Sequence, residues 1–101
     1  MICEVKILDK SKNYGKGRIK DGFKQIVDYT TEYEKSAGYL VVYNFDENLV
    51  EFTFNNDSSI YTSIIHNGKT YYLIMIYLNN INPSDLGKIK TIKISKEDII
   101  N

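Results

Sequence analysis

The sequence contains few of the residues that cross-link or interrupt small folds. Its single cysteine, Cys3, excludes an intrachain disulfide and a metal cluster built on several cysteines. One proline and six glycines in 101 residues argue against a disordered chain. No apolar run reaches the length of a membrane span, and a charge at the fourth residue excludes a signal-peptide core. We therefore expect one globular domain over residues 1–101, in the cytoplasm and without membrane contact.

Charge is balanced overall, with 13 basic and 13 acidic side chains, so the net charge gives no attraction for phosphate. Its distribution is uneven. Residues 39–65 contain no lysine or arginine, whereas a basic cluster occupies residues 10–24: Lys10, Lys12, Lys16, Arg18, Lys20 and Lys24. Such a cluster is typical of contact with a nucleic-acid backbone, and it is equally typical of a solvated loop.

The N-terminal half of the chain predicts a βαβ unit. Apolar residues around two charges predict a strand over residues 2–8, and apolar positions three and four apart predict a helix over residues 18–36 that stops at Gly38. Residues 39–45 are almost continuously apolar, which is typical of a strand buried on both faces. The order strand, helix, strand indicates a right-handed parallel crossover.

The C-terminal half predicts further strands, which we expect to be antiparallel. Residues 49–54 alternate like a strand, and Asn67-Gly68 between two β-rich runs indicates a hairpin. Residues 79–87 predict a loop or one helical turn, and Ile89, Ile92 and Ile94 predict a last short strand. Ser95 and Asp98 have the spacing that caps a brief terminal helix. The expected fold class is α+β with a mixed sheet.

Glu4-Val5-Lys6 is the segment with the clearest chemical content. Residues two apart in a strand point the same way, so Glu4 and Lys6 should share one face while Cys3, Val5 and Ile7 share the other. A carboxylate can bind a hard divalent ion, and an ammonium beside it can stabilise charge on a phosphate. The same pair also occurs on solvated strand faces, where it has no chemical role.

Gln25 and Tyr29 add a second motif, because residues four apart lie on one face of the predicted helix. The E-x-K strand, this Q-x-x-x-Y helix and the strand Gly38-Tyr39-Leu40-Val41-Val42-Tyr43 together resemble the second half of the core of the PD-(D/E)XK nuclease superfamily, in its RecB-type branch. The resemblance covers about the first 45 residues well and the rest loosely, although Ile65-His66-Asn67-Gly68-Lys69 is similar to a later hairpin of such proteins.

The resemblance implies a restriction-endonuclease-like fold and a metal-dependent nuclease activity with Mg²⁺ or Mn²⁺. Glu4 matches the metal-binding acid and Lys6 the catalytic lysine, and Val5 would add a ligand through its carbonyl. Gln25 and Tyr29 match the helix motif that supports the site and contacts nucleic acid. The basic cluster would then contact phosphates beside it.

One part of the family's pattern is missing from the sequence. The family carries a further acidic ligand on a strand that precedes the E-x-K strand, and this sequence begins at the E-x-K strand itself. Asp9, the nearest acid, follows the strand and would point elsewhere. The resemblance therefore implies a fold truncated at its N-terminus, incomplete or inactive alone, which a preceding segment or a second chain would complete. The uncovered strand edge favours a homodimer.

Two other interpretations stay open at this point. The chain is alternatively a non-catalytic interaction module, binding protein or nucleic acid, in which Glu4 and Lys6 pair on a solvated face. It is otherwise a domain without relation to nucleases, which a structure lacking the βαβ unit would favour. His66 has no neighbour in the sequence that would orient it as a base, and Cys3 is expected to be a small core residue rather than a nucleophile.

Overall fold

A computed structural model describes residues 1–53, 62–78 and 90–100 of the chain. Its strands are β1 (Ile2–Leu8), β2 (Ala37–Asn44), β3 (Leu49–Phe52), β4 (Thr62–His66), β5 (Lys69–Tyr77) and β6 (Thr91–Ile94). Its helices are α1 (Lys16–Glu32) and α2 (Lys96–Ile100), and a 3₁₀ turn covers Lys10–Lys12. Neither helix of the described ranges is both long and apolar enough to cross a membrane. The expected α+β class with a mixed sheet is confirmed.

The main sheet has the strand order β1-β2-β5-β4. Strands β1 and β5 both run parallel to the central strand β2, and β4 runs antiparallel to β5. A second sheet pairs β3 with β6 in parallel. The expectation of antiparallel strands after the βαβ unit is therefore right for the β4–β5 hairpin and wrong for β3 and β6, because pairs far apart in sequence leave no local signal of direction.

Helix α1 connects β1 to β2 and packs on both strands, which confirms the βαβ order. Its buried residues follow the predicted apolar spacing: Ile19, Gly22, Phe23, Ile26 and Thr30. The helix spans Lys16–Glu32 rather than the predicted 18–36. It ends early because Glu34 adopts a left-handed φ of 53°, and the Lys35 N–H then donates to the Thr30 carbonyl at 2.9 Å.

Gly38, which we expected to stop the helix, lies instead inside β2. A Cβ atom at this position would come within 3.2 Å of both Thr30 Cγ2 and the Tyr71 ring. The Thr30 hydroxyl and the Tyr71 hydroxyl are 2.8 Å apart in a buried hydrogen bond, and Lys69 Nζ donates to the Thr30 carbonyl at 2.9 Å. The glycine thus leaves room for contacts that join the end of α1 to the β4–β5 hairpin.

Strand β2 was expected over residues 39–45 with both faces buried, and the structure corrects both points. It spans Ala37–Asn44, and only alternate residues are fully buried, among them Leu40 and Val42. These residues face α1, whereas Tyr39, Val41 and Tyr43 are half-buried on the opposite face. No helix of the described residues covers that opposite face, where Val5 is 49% exposed and Ile74 41%.

The β4–β5 hairpin turns at Asn67-Gly68, as predicted. Both residues have positive φ, 53° and 75°, which matches the twist of a two-residue hairpin turn. The predicted strand over residues 49–54 is found as β3, and the predicted last strand is found as β6. The predicted loop over residues 79–87 and Ile89 lie outside the described residues.

Helix α2 packs against α1 and begins with the predicted cap. Asp98 accepts a hydrogen bond from the Ser95 N–H at 2.8 Å, and Ser95 Oγ accepts one from the Asp98 N–H at 3.3 Å. Lys16 Nζ, at the start of α1, lies 3.0 Å from the Asp98 carboxylate. One carboxylate therefore joins the start of α1 to the start of α2.

The cap predicts how stability depends on pH. The Ser95 N–H first, and Lys16 second, lower the pKa of Asp98 from its ordinary 3.8. Because the pKa is lower in the folded chain, the carboxylate stabilises the fold above pH 3.8, and this contribution disappears as the pH falls through the lowered pKa. We expect Asp98→Asn to lower the melting temperature at neutral pH and to match wild type in strong acid.

The control is Glu97→Gln, which removes a charge from the same first turn without touching Ser95 or Lys16. Thermal melts of the three proteins across the acid range test the prediction. A deficit in Asp98→Asn that is the same at every pH would contradict it.

Candidate active site at the edge of the sheet

Glu4 and Lys6 lie side by side on β1, on the face that α1 covers. Lys6 Nζ is 3.7 Å from Glu4 Oε1, and the side chains are only 11% and 21% exposed for Lys6 and Glu4. In the parallel register Glu4 stands beside Leu40 and Lys6 beside Val42, both of which are buried. The shared face is confirmed, but it is not the solvated face that the interaction-module interpretation assumed.

The stem of Lys6 passes under Gly22 of α1. A Cβ atom on Gly22 would lie 2.8 Å from Lys6 Cγ and 2.7 Å from Leu40 Cδ1, so any side chain there would overlap both. The glycine lets the helix approach the groove between β1 and β2 closely. Sequence reasoning missed this positioning role, although a glycine between Ile19 and Ile26 in the apolar stripe was the available signal.

The backbone of β1 has one side hydrogen-bonded to β2 and one side open. The Leu8 carbonyl accepts from the Phe45 N–H at 2.9 Å, so even-numbered residues of β1 direct their backbone groups at β2. By the alternation of a strand, Cys3, Val5 and Ile7 direct theirs away from β2. Within the described residues β1 pairs with β2 alone, and the Val5 carbonyl therefore faces the open edge.

One flank of α1 runs along this open edge. Gly22 faces β1 and β2. The next residue, Phe23, contacts the rings of Tyr71 and His66 at 5.2 and 5.9 Å, so one side of the helix is turned toward β5. At 3.6 residues per turn, Arg18, Gln25 and Tyr29 then fall on the other side, toward β1. The Q-x-x-x-Y pair thus lies on the helix flank nearest to Glu4 and Lys6.

This flank also carries unsatisfied polar atoms. In residues 1–53, 62–78 and 90–100, the buried side-chain polar atoms without a hydrogen-bond partner are Arg18 Nε and Gln25 Oε1. Buried polar groups are normally paired, and these two atoms have no such partner within the described residues. The Arg18 guanidinium lies 4.3 Å from the centre of the Tyr14 ring, which holds it in place by a cation–π contact. Tyr29 is 40% exposed.

The structure does not place the basic cluster on one surface. Lys10 and Lys12 are exposed in the 3₁₀ turn, which Asp9 caps by accepting from the Ser11 N–H, and Lys16 pairs with Asp98. Lys20 and Lys24 lie on the flank of α1 that faces α2. There they line a groove of about 320 Å³ with an apolar floor that includes Val27 and Ile99. Of the six, only Arg18 falls on the flank of α1 that helical spacing turns toward β1.

The described residues supply only part of a metal site. They contain no group of three or more histidine, cysteine, aspartate or glutamate side chains that could hold an ion. Glu4 Oε and the Val5 carbonyl are two oxygens, fewer than Mg²⁺ requires from protein and water together.

His66 lies against Phe23 and 3.3 Å from Asn67 Nδ2, away from Glu4. Cys3 is exposed, so its expected place in the core was wrong.

Comparison of the chain with protein-family models, with curated proteins and with solved structures gives no match. The resemblance to PD-(D/E)XK nucleases therefore rests on the sequence motifs quoted above alone.

The close approach at Gly22 predicts a difference between two glycines of the same helix. A Cβ atom added at Gly17 would meet nothing within 4 Å, so alanine there should gain only helix propensity, up to about 1 kcal/mol. Alanine at Gly22 gains the same term but overlaps Leu40 and Lys6, at a cost of about 1–3 kcal/mol. Chemical denaturation should therefore find Gly22→Ala less stable than Gly17→Ala by roughly that overlap cost. Equal stability of the two variants would contradict the close approach.

Proposed function

We propose that this chain is a nuclease-type domain of the PD-(D/E)XK class, with a restriction-endonuclease-like core in which the described residues supply only part of the metal site. The observation that carries the proposal is the half-buried Glu4–Lys6 pair at the open edge of β1, under a helix whose flank presents Gln25 and Tyr29. A carboxylate, a lysine and an amide shielded under one helix are the groups that phosphodiester cleavage needs on one side of a phosphate.

Each residue has a separate role in this proposal. Glu4 and the Val5 carbonyl provide oxygen ligands for Mg²⁺ or Mn²⁺, an ion that would supply Lewis acidity at the scissile phosphate. Lys6, held in place by Gly22 and Glu4, directs its ammonium at the phosphate and stabilises the charge that develops there. Gln25 and Tyr29 orient Lys6 or contact the nucleic acid, and Arg18 provides a phosphate contact.

Glu4 and Val5 alone do not form a complete site for a divalent ion. At least one more acidic group must reach the open edge of β1 from outside the described residues, for example from a preceding segment or from another chain, before cleavage can occur. We therefore propose that the described residues are inactive by themselves and act in the cytoplasm once that group is supplied.

Nucleic-acid cleavage tests the proposal directly. Supercoiled plasmid and single-stranded DNA or RNA are incubated with the protein and with Mg²⁺, Mn²⁺ or chelator. If the site is completed within the protein or its assembly, we expect metal-dependent cleavage that falls by about 100-fold or more in Lys6→Ala, because a charge-stabilising group is lost. Lys93→Ala removes an exposed lysine of β6 and should cleave like wild type. Equal cleavage by both variants would exclude Lys6 from the chemistry.

A second candidate function is an interaction module without catalysis. The observation in its favour is the uncovered face of the main sheet, where Val5, Ile65 and Ile74 are 49%, 69% and 41% exposed and where the Tyr39 and Tyr72 rings stack at 5.2 Å. Exposed apolar surface of this kind is typical of protein contacts. In this alternative Glu4 and Lys6 only neutralise each other beneath α1.

Metal-dependent stability separates the two candidates. A ligand that binds only the folded chain raises its stability by about 2.7 kcal/mol when present at 100 times its dissociation constant. If the missing acidic group is supplied within the protein or its assembly, we expect Mn²⁺ to raise the melting temperature of wild type and not of Glu4→Gln, with Glu47→Gln, a glutamate elsewhere on the chain, as the control. The same melting temperature for wild type with and without Mn²⁺ would exclude a complete metal site in this protein and favour the interaction module.

A further inference from the structure

We propose that β1 of a second copy of this chain completes the open edge, by pairing antiparallel with β1 about a two-fold axis at Val5. The partner strand is thus Ile2–Leu8 of the second copy, placed so that Val5 lies opposite Val5. The pairing itself is independent of the nuclease proposal, whereas the composite metal site that it would create rests on that proposal.

The open edge can accept a long strand. Strand β1 pairs with β2 over all seven of its residues without a bulge, and it contains no proline. Cys3, Val5 and Ile7 direct their N–H and C=O groups at the open side, as the Leu8–Phe45 hydrogen bond establishes for their neighbours. An edge with these properties is a template for another strand unless side chains prevent the pairing.

Backbone geometry limits the registers that a two-fold axis allows. Residues whose N–H and C=O groups point at the open side must pair with residues of the same kind in the second copy. The two-fold axis therefore passes through a residue of β1 and not between two residues. An axis at Val5 makes Val5 meet Val5 of the second copy as a hydrogen-bonded pair, with Cα atoms about 5.5 Å apart. Cys3 then meets Ile7 in the same way on either side of the axis.

Charge selects one register among these. With the axis at Val5, Glu4 stands directly opposite Lys6 of the second copy, and Lys6 opposite its Glu4. An axis at Glu4 or at Lys6 would instead set two like charges directly opposite, which destabilises a sheet. The opposed Glu4 and Lys6 form the non-hydrogen-bonded type of pair, in which Cα atoms are only about 4.5 Å apart and side chains approach closely.

The same charges explain why other strands are excluded. Inward-pointing charges protect edges, because a partner strand that brings an apolar residue opposite them buries the Glu4–Lys6 pair further and gives neither charge a new partner. Lys6 is already only 11% exposed. A second β1 in this register instead supplies a carboxylate opposite Lys6 and a cation opposite Glu4.

The position of α1 is compatible with the pairing. Gly22 lies over both Lys6 and Leu40, so the helix axis follows the groove between β1 and β2. With strands about 4.8 Å apart, the two α1 helices of the dimer would have axes about 10 Å apart, the distance at which helices pack. The flank with Arg18, Gln25 and Tyr29 then faces the other helix, so that the 40% exposed Tyr29 lies between the two helices.

The pairing deepens the nuclease proposal at one point. The two Glu4 residues become diagonal neighbours across the axis, with Cβ atoms about 7 Å apart, close enough for one divalent ion to contact both carboxylates. The acidic group that Glu4 and Val5 lack would then come from Glu4 of the second copy.

A charge exchange tests the register. Light scattering and sedimentation should show wild type as a dimer at micromolar concentration. Glu4→Lys and Lys6→Glu each set like charges opposite and should raise the dimer dissociation constant by about tenfold or more, since each change acts at two symmetric pairs. The double variant Glu4→Lys, Lys6→Glu restores opposite charges and should return to within about threefold of wild type. A monomeric wild type, or a double variant as weak as the single ones, would overturn the proposal.

Cross-linking tests the axis even where a charge variant fails to fold. In a Cys3→Ser background, Val5→Cys should form a disulfide-linked dimer under mild oxidation, because the two positions meet at a distance that a disulfide spans. Ile74→Cys in the same background is the control, since Ile74 is comparably exposed on the same sheet face but belongs to β5. Equal cross-linking of the two variants, or none in Val5→Cys, would overturn the proposal.

The outcomes separate the pairing from the proposed function. A cross-linked dimer that neither cleaves nucleic acid nor gains stability from Mn²⁺ would support the proposed pairing and contradict the proposed nuclease function. Cleavage by a protein that sediments as a monomer would support the proposed nuclease function and contradict the proposed pairing.

Discussion

Strand β2 is the element on which the other parts of the structure depend, because it is hydrogen-bonded along both of its sides. It pairs in parallel with β1 on one side and with β5 on the other, and its Leu40 and Val42 side chains are fully buried beneath α1. A parallel pair requires a crossover, and α1 is the crossover that returns the chain from β1 to β2. The position of every group in the candidate site follows from this arrangement, since Glu4 stands beside Leu40 and Lys6 beside Val42.

Local sequence patterns predicted the local elements well. The Asn67-Gly68 turn and the Ser95–Asp98 cap follow from the conformational and hydrogen-bonding preferences of those few residues, and the structure has both. The end of α1 was missed because Glu34, a residue with no preference for left-handed conformation, adopts it to let the chain turn into β2. The parallel pairing of β3 with β6 was missed because its partners are about forty residues apart and share no pattern that sets direction.

The candidate site shows the same division between local and long-range information. Alternation along a strand was sufficient to predict that Glu4 and Lys6 share a face, and helical spacing was sufficient to pair Gln25 with Tyr29. Alternation could not reveal that the shared face lies under α1, because that depends on how closely Gly22 lets the helix approach. Proximity in sequence was also misleading for the basic cluster, since a helix distributes neighbouring residues around its axis and separates Arg18 from Lys20 and Lys24.

The contacts of Thr30 give the fold a further property. Its hydroxyl bonds to Tyr71, and its carbonyl accepts from both Lys69 Nζ and the Lys35 N–H, so these bonds join the end of α1 to the β4–β5 hairpin. Helix ends ordinarily fray independently of the rest of a protein. Here the last turn of α1 cannot open without releasing a buried tyrosine hydroxyl and a lysine from the hairpin. We therefore expect the end of the helix and the β4–β5 hairpin to open together, as one cooperative unit.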